Sequence, residues 1–163
     1  MNPIEYTHLI KKFCEEKIKF VVIGGFAAIA HGVVRVTMDL DLAISLKKED
    51  LSHAWDILNA LGFKIRQPIL QKDFIDPKKL STLMKKKGAR AISFIHTKQS
   101  YLVVDILFNE PLKISADDIT WINLFGFRCP ILKIDKLIKL KKEAGRPKDT
   151  EDIRELKKIK EKK

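Results

Sequence analysis

Residues 21–45 read VVIGGFAAIAHGVVRVTMDLDLAIS, and this stretch determines the fold class that we predict. Two adjacent glycines, Gly24 and Gly25, end a β-branched apolar run, and the alanine-rich segment after them is typical of a short helix. Two aspartates, Asp39 and Asp41, then interrupt a second apolar run. Side chains alternate across a strand, so both carboxylates project from one face. Two like charges this close need a compensating cation, which a divalent metal such as Mg²⁺ or Mn²⁺ would supply.

A third carboxylate, Asp105, lies in the middle of the apolar run VVDILF. If this run forms a strand beside the first two aspartates, Asp105 completes a site for two metals. The alternative is that Asp105 is a core carboxylate paired with an arginine such as Arg35 or Arg90. Two further alternatives concern single motifs, since a lone glycine pair is often only a tight turn, and His31 before Gly32 suits a helix end as a protonated imidazole.

The rest of the chain alternates between helix and strand patterns, which predicts a mixed α/β class of the α+β type. We expect a first helix from about Pro3 to Lys17 capped by Asn2, and a strand from Met38 to Ser45. Further predictions, in chain order, are a helix in KKEDLSHAWDILNALG, an edge strand in FKIRQPIL, a helix in DPKKLSTLMKKKG, a hairpin of RAISFIHT with SYLVVDILFN, a short β-pair around the turn at 125–127, and two C-terminal helices at Ile134–Ala144 and about Pro147–Ile159. The predicted fold is a small mixed sheet covered by helices.

Length and composition favour one domain over residues 1–163, because 163 residues with 45% hydrophobic content suffice for a single core. The formal net charge of +11 favours polyanionic partners such as nucleotide phosphates or RNA. Residues 133–163 hold 13 Lys and Arg against 7 Asp and Glu, a net +6 of that total. We expect these basic C-terminal helices to begin at about 133 and the tail to fray from about 160.

Cysteine usage and hydropathy exclude several classes of protein. Cys14 and Cys129 belong to no metal-binding or redox motif, so we expect neither a zinc site nor a disulfide framework. The N-terminus lacks the order of a signal peptide, and no apolar run is long enough to span a bilayer. We therefore expect a cytoplasmic protein without a membrane partner.

The glycine pair, the D-x-D strand and the later acidic strand resemble the signature of the DNA polymerase beta-like nucleotidyltransferase superfamily. The longer string GGFAAIAHGVVRVTMDLDL and the C-terminal KLIKLKKEAGRPKDTEDIREL are most similar to a small group related to AbiEii type IV toxins. Those toxins are usually longer and carry an added helical domain, which we do not expect in this chain. The resemblance implies a nucleotidyltransferase fold with an NTP substrate.

The resemblance also implies a role for individual residues. Asp39, Asp41 and Asp105 would be the catalytic and metal-binding carboxylates of a two-metal site, with Asp105 as, or beside, the base. The nucleotide would contact the glycine turn and several polar residues, namely Gly24, Gly25, Arg35, Thr37, Lys142, Arg146 and Lys148. For Arg35, pairing with the aspartates is an open alternative to a phosphate contact, and Thr37 has the alternative role of only orienting Asp39.

These observations favour a metal-dependent nucleotidyltransferase that transfers a nucleoside monophosphate from an NTP to a hydroxyl acceptor, either RNA, including tRNA, or a protein. One alternative is a non-catalytic nucleotide- or nucleic-acid-binding module on a degenerate nucleotidyltransferase fold. Another is the toxin or antitoxin half of a two-gene system. The acceptor, the preferred NTP and the oligomeric state are not written in the sequence.

Overall fold

The computed structural model describes residues 3–124 and 126–163, and its strands form one mixed sheet. The strands are β1 (Phe20–Ile23), β2 (Asp39–Ile44), β3 (Phe63–Ile65), β4 (Ile92–His96), β5 (Val103–Phe108), β6 (Ile119–Leu124) and β7 (Phe127–Leu132). Their order across the sheet is β3-β4-β5-β2-β1-β7-β6. The β2–β5 and β1–β7 pairs are parallel and the others antiparallel. The two parallel pairs are formed by the four inner strands β5, β2, β1 and β7. Because the sheet contains both parallel and antiparallel pairs, it is mixed, as predicted.

Helices cover the sheet. They are α1 (Pro3–Glu15), α2 (Gly24–Ala30), α3 (Lys48–Ala60), α4 (Gln71–Phe74), α5 (Pro77–Lys87), α6 (Asn109–Leu112), α7 (Ile134–Ala144) and α8 (Asp149–Glu161), with a 3-10 turn at Ala116–Asp118. Helix α2 packs against α7, and α7 packs against α8. The two C-terminal helices are thereby brought next to the segment that begins with the glycine pair. Among the helices of the described residues, none has the length and apolar character that a bilayer span requires.

Most element predictions are confirmed, and the differences are local. The hairpin of β4 and β5, the edge position of β3 and the α5 helix between Asp76 and Gly88 are all present. Asp76 caps α5 by accepting hydrogen bonds from the backbone N–H groups of Lys78 and Lys79. The short helices α4 and α6 and the 3-10 turn were not predicted, because four or fewer residues show no helical period.

Several predicted boundaries are wrong by one or more residues. Helix α1 ends at Glu15 and not at Lys17, which has a φ of 54°. Helix α8 begins at Asp149, two residues after the predicted start, and continues to Glu161. The β-pair near residue 125 is longer than expected and spans β6 and β7, while Phe125 itself lies outside the described residues. The predicted cap at Asn2 also lies outside them.

A tyrosine in α1 fixes the starts of two central strands. The Tyr6 hydroxyl lies 2.8 Å from the carbonyl oxygen of Met38 and accepts a hydrogen bond of 2.8 Å from the Val103 N–H. Met38 immediately precedes β2, and Val103 is the first residue of β5. Tyr6 has no exposed surface. Its two hydrogen bonds tie α1 to the starts of β2 and β5, the strands that carry the predicted carboxylates.

Candidate active site

The three predicted carboxylates lie on the adjacent parallel strands β2 and β5. Asp41 faces Asp105 in the pairing of these strands, and Asp39 lies two residues before Asp41. Leu40 and Leu42, which alternate with them and point to the opposite side of the sheet, have no exposed surface. The three carboxylate residues are all partly exposed. The fold therefore brings Asp39, Asp41 and Asp105 to one accessible face of the sheet.

The three carboxylates repel one another, and this repulsion contributes to a raised pKa of Asp41. Burial raises the pKa of Asp41 from 3.8 to about 6, and repulsion by Asp105 and Asp39 contributes to the rise. Arg146 and Lys141 act in the opposite direction and partly offset it. A cation bound beside Asp41 would remove the repulsion and favour the ionised carboxylate.

Gly24 packs directly against Asp41. Gly24 is the first residue of α2 and has a φ of 65°, which is in the left-handed region that favours glycine. A Cβ at this position would overlap Oδ2 of Asp41. The two glycines thus begin the helix, whereas the sequence predicted a turn before it. Glycine is required at position 24 both for backbone conformation and for the approach of the carboxylate.

Gly25 is covered by two of the predicted nucleotide-binding side chains. A Cβ on Gly25 would lie 2.6 Å from Oγ1 of Thr37 and 3.4 Å from Cζ of Arg35. The Thr37 hydroxyl donates a hydrogen bond of 3.3 Å to the backbone oxygen of Asp39. Thr37 therefore links the glycine pair to the first residue of β2.

Arg35 is held by α8 in this structure. Its Nη1 donates to Oδ2 of Asp152, and its Nε donates a 3.3 Å hydrogen bond to the carbonyl oxygen of Val36. The contacts described for Arg35 do not include the strand aspartates, and its contact with a phosphate stays a prediction. They place its guanidinium beside Gly25.

A chain of five ionised side chains connects α7, α8 and the loop before β2. The Lys141 ammonium lies 3.0 Å from Oδ1 of Asp149 and 2.7 Å from Oδ2 of Asp152, and the side chains of all three are at most 4% exposed. Arg146 Nε lies 2.7 Å from Oδ2 of Asp149, and Arg35 pairs with Asp152. We call these five residues the buried ion network. Its three cations exceed its two carboxylates, so it carries one net positive charge toward the strand aspartates.

The three basic residues predicted at the C-terminal end differ in position. All three are exposed, and Arg146 differs in that it pairs with the buried Asp149 and so belongs to the buried ion network. Lys141 was not predicted, although a signal was present in the sequence. Lys141 follows Leu137 and Ile138 by four and three residues, which places it on the same buried face of α7.

Asp105 accepts a hydrogen bond of 2.5 Å from the Ser93 hydroxyl through Oδ1. Ser93 faces Asp105 in the β4–β5 pair, and its own N–H donates a 3.0 Å hydrogen bond to Oε1 of Gln67. The contacts described for Asp105 include neither Arg35 nor Arg90, so the pairing that we considered as an alternative is not formed. Ser93 could not be predicted as the partner of Asp105, because the register of the hairpin is not encoded locally.

His31 lies at the end of α2, as expected, but it is not placed to be a cation. Its Nε2 is 2.7 Å from the carbonyl oxygen of Leu132, which makes Nε2 the protonated nitrogen. Burial lowers the pKa of His31, and this effect exceeds the opposing one of the hydrogen bond. The expectation of a protonated imidazole is therefore wrong, and a structural role as a neutral donor fits the contacts.

The donor chemistry at the strand aspartates suits a hard divalent cation. Carboxylate oxygens are the ligands that Mg²⁺ takes, usually one or two of them together with waters and substrate phosphates. Among residues 3–124 and 126–163, no group of three or more His, Cys, Asp or Glu side chains is arranged so that it could hold a metal ion. The two-metal site of Asp39, Asp41 and Asp105 stays a prediction.

The sequence matches no protein-family model, and no curated protein shows significant similarity to it. Solved structures, in contrast, share its fold over nearly the whole chain. The lincomycin-bound lincosamide antibiotic adenylyltransferase LnuA has a TM-score of 0.64 and 15% identity, over 95% of this chain and 96% of that one. ANT(2'')-Ia in complex with adenylyl-2''-tobramycin has a TM-score of 0.66 and 13% identity, over 98% and 94%.

A third structure shares the fold at a lower TM-score. An antigenic nucleotidyltransferase-like protein from Paracoccidioides brasiliensis has a TM-score of 0.55 and 15% identity, over 93% of this chain and 71% of that one. At these identities the likeness shows the fold alone. This chain therefore has the nucleotidyltransferase fold, and the predicted fold class is confirmed. The finer resemblance to the AbiEii-related group stays a prediction.

Proposed function

We propose that this chain is a metal-dependent nucleotidyltransferase that transfers a nucleoside monophosphate from an NTP to a hydroxyl group. The observation that carries the proposal is the facing pair Asp41 and Asp105 on β2 and β5, beside the glycine at the start of α2. The nucleotidyltransferase fold makes nucleotide transfer plausible, and the carboxylates supply the chemistry that such a transfer needs.

Asp39 and Asp41 would hold Mg²⁺ or Mn²⁺, and Asp105 would contribute to a second metal position. The metal, when bound, neutralises charge on the phosphates and so lowers the barrier to attack at phosphorus. The raised pKa of Asp41 and the close packing of Gly24 against its carboxylate support this assignment. The repulsion by Asp105 and Asp39 puts the three carboxylates within range of one another's charge, and the missing Cβ of Gly24 leaves room for the carboxylate of Asp41.

The reaction itself is a displacement at the α-phosphorus of the NTP. The acceptor oxygen forms a bond to this phosphorus, the bond to the β-phosphate bridging oxygen breaks, and pyrophosphate leaves with that oxygen. Asp105 is the proposed acceptor of the hydroxyl proton. Its Oδ1 accepts the hydrogen bond from Ser93, so Oδ2 is the oxygen that would take the proton.

The buried ion network would position two cations for the phosphates. Asp152 holds Arg35 beside Gly25, and Asp149 holds Arg146 through Nε at 2.7 Å. Arg146 also acts on Asp41 electrostatically, which puts its charge within range of the carboxylate site. An arginine whose direction is fixed beforehand loses little entropy when it binds a phosphate. Thr37, Lys142 and Lys148 complete the proposed nucleotide-binding set, with the two exposed lysines making only screened contacts.

The acceptor is the least constrained part of the proposal. The similarity to the AbiEii-related group favours RNA, including tRNA, or a partner protein within a toxin–antitoxin-like system. The two antibiotic-bound structures widen the range, since lincomycin and adenylyl-2''-tobramycin occupy proteins of the same fold. A hydroxyl-bearing small molecule is therefore a third class of acceptor.

The test is a transfer assay with the four α-labelled NTPs and Mg²⁺ or Mn²⁺. Acceptors are total RNA, cell lysate protein, lincomycin and tobramycin. The matched variants are Asp105→Asn, which retains the oxygen that Ser93 contacts, and Asp135→Asn, an exposed carboxylate on α7 whose side chain is 72% exposed.

We expect wild type and Asp135→Asn to transfer at equal rates, and Asp105→Asn to bind nucleotide but lose transfer by at least about a hundredfold. The alternative of a non-catalytic binding module predicts nucleotide or RNA binding by all three proteins and transfer by none. Transfer by Asp105→Asn at the wild-type rate would rule out Asp105 as the base.

A further inference from the structure

The face of the sheet that carries the carboxylates continues past β5 onto β4 and β3. Asp105 is paired with Asp41 of β2 on one side and with Ser93 of β4 on the other. The backbone N–H of Arg66, one residue after β3, donates a 2.8 Å hydrogen bond to the carbonyl oxygen of Ser93. Because paired residues point to the same face, these four side chains form one row across β2, β5, β4 and the end of β3.

A second row runs beside the first. Asp39 is paired with Val103. Val103 is paired with Ile95, which in turn faces Lys64 of β3. Lys64 and Arg66 are two residues apart in an extended segment and therefore share this face. Each row thus begins with a carboxylate on β2 and ends with a cation on or just after β3.

The part of this face beyond Asp105 is open. Its side chains on β3 and β4 are partly or fully exposed, whereas residues that alternate with them, such as Phe63 and Phe94, are buried. Trp55 of α3 and Phe74 of α4 contact the Phe94 ring, so these two helices cover the opposite face. We use the name outer face for the open surface formed by Lys64, Arg66, Ser93, Ile95 and Val103.

The outer face carries two positive charges and no negative one. Lys64 and Arg66 are exposed, and none of the ion pairs in residues 3–124 and 126–163 involves either of them. The Lys64 ammonium donates a 2.6 Å hydrogen bond to Oδ1 of Asn59, which is neutral and leaves the charge uncompensated. The outer face therefore attracts an anionic group.

The outer face and the glycine pair lie on opposite sides of Asp105. Gly24 and Gly25 follow β1, which borders β2 on the side away from β5. Neighbouring strands are about 4.8 Å apart, so β3 is about 10 Å from β5 and about 14 Å from β2. Lys64 and Arg66 are thus outside the proposed nucleotide site, and a group that binds them approaches Asp105 from the side away from the NTP.

We infer that the acceptor is the end of a single-stranded RNA, with its terminal ribose hydroxyl at Asp105 and its backbone phosphates on Lys64 and Arg66. The inference rests on the proposed function, because it selects one acceptor class for the same transfer. The ribose oxygen forms the bond to the α-phosphorus of the NTP, its proton passes to Asp105 and pyrophosphate leaves. The RNA therefore gains one nucleotide.

The charge of the outer face separates RNA from the other acceptor classes. An RNA strand presents a phosphate at every nucleotide, so negative charge follows the terminal hydroxyl whatever the sequence. The cations lie about 10 Å beyond β5, a distance that a chain of nucleotides spans and a small alcohol does not. A polycationic acceptor such as tobramycin would meet Lys64 and Arg66 as like charges.

The test measures RNA binding in the absence of NTP, so its result does not depend on catalysis. The probe is a fluorescein-labelled single-stranded RNA of about 12 nucleotides with a free 3′-hydroxyl, which is within the range of single-strand site sizes. Its anisotropy is titrated at several salt concentrations. The outer-face variant combines Lys64→Gln with Arg66→Gln. The matched control combines Lys11→Gln with Lys157→Gln, which removes the same charge from exposed residues of α1 and α8.

We expect the outer-face variant to bind the RNA at least about tenfold more weakly than wild type, and the control less than about twofold more weakly. Each phosphate contact contributes about 0.7 to the slope of log affinity against log salt concentration, so two lost contacts lower this slope by about 1.4. Melting temperatures and calorimetric titrations with an NTP and Mn²⁺ should match wild type for both variants, since the outer face lies outside the nucleotide site.

Equal losses of RNA affinity in the two variants would overturn the inference, because net charge alone would then hold the RNA. Transfer to tobramycin, lincomycin or lysate protein in preference to RNA would also overturn it, while the proposed nucleotidyl transfer would stand. The proposed function can fail separately. If the outer-face variant alone loses RNA affinity but wild type transfers to no acceptor, the proposed function is wrong and the outer face remains an RNA-binding surface.

Discussion

The carboxylate of Asp41 occupies the space that a side chain on Gly24 would need. This contact joins the start of α2 to the strand that carries the aspartates, and it makes the glycine a condition for the geometry of the site.

Gly24→Ala should be markedly more destabilising than Gly88→Ala. Both glycines have similar left-handed φ values, 65° and 59°, so both substitutions carry a backbone penalty of about 1 kcal/mol. Only at Gly24 does the added methyl overlap another group, Oδ2 of Asp41, whereas nothing lies within 4 Å of a Cβ on Gly88. We expect roughly 2–4 kcal/mol for Gly24→Ala. Denaturant unfolding measures both, and equal losses would mean that the Asp41 contact relaxes freely.

Asp41→Asn should stabilise the metal-free protein at pH 8 and have little effect at pH 4. The folded-state pKa of Asp41 is raised to about 6, so its favourable contribution is present below pH 4 and is lost as the pH rises through 6. A rise of about two pKa units corresponds to about 3 kcal/mol, which the neutral amide recovers.

The measurement is denaturant unfolding in a chelating buffer at pH 4, 6 and 8. Asp135→Asn on the exposed side of α7 is the control, and its effect should not show this pH dependence. If Asp41→Asn is less stable than wild type at pH 8, the carboxylate is already compensated in the metal-free protein. Addition of Mn²⁺ with an NTP should raise the melting temperature of wild type but not of Asp41→Asn.

Lys141→Met should destabilise the fold by about 3 kcal/mol, and Lys142→Met by less than about 0.5 kcal/mol. Lys141 is buried against Asp149 and Asp152, so its loss leaves two carboxylates with one partner each. Lys142 is the adjacent lysine on the exposed side of α7. Urea unfolding measures the loss of stability in both variants. A loss for Lys141→Met as small as that for Lys142→Met would show that the ion pairs of Lys141 contribute no net stability.

The effect of Lys141→Met should diminish in acid. Burial acts to raise the pKa of Asp149, but hydrogen bonds from Arg146 and Lys141 outweigh it and hold that pKa below its ordinary value. The stabilisation from Asp149 is therefore present at neutral pH and is lost as the pH falls through the depressed pKa. The difference in unfolding free energy between wild type and Lys141→Met should accordingly be smaller at pH 3 than at pH 7.

Arg146→Gln should weaken nucleotide binding about tenfold, whereas Lys148→Gln should change it by less than about twofold. Both side chains are exposed, but Arg146 is held by its ion pair with Asp149 and acts on Asp41. Calorimetric titration with an NTP and Mn²⁺ gives both affinities. The reverse order would place the nucleotide outside the buried ion network.

Local sequence patterns were sufficient to predict the strand and the glycine pair that form the candidate active site. Alternation along DLDLAI fixed Asp39 and Asp41 on one face and Leu40 and Leu42 on the other, because successive strand residues point to opposite sides. The glycine pair marked the end of β1, and the positive φ of Gly24 favours glycine whatever surrounds it, although α2 begins at the pair and not after it. Such local preferences act over a few residues and can be identified without knowing the fold.

The tertiary structure alone decided which residues meet. Asp105 lies 64 positions after Asp41, and the parallel register of β2 and β5 is what puts the two face to face. Likewise, only the packing of α7 on α8 makes Lys141 the partner of Asp149 and Asp152. Burial of apolar side chains across the whole sheet selects these pairings, and this selection depends on segments that are distant in the chain. Local patterns show which face a residue occupies, but the partner on that face is chosen by the global packing of the core.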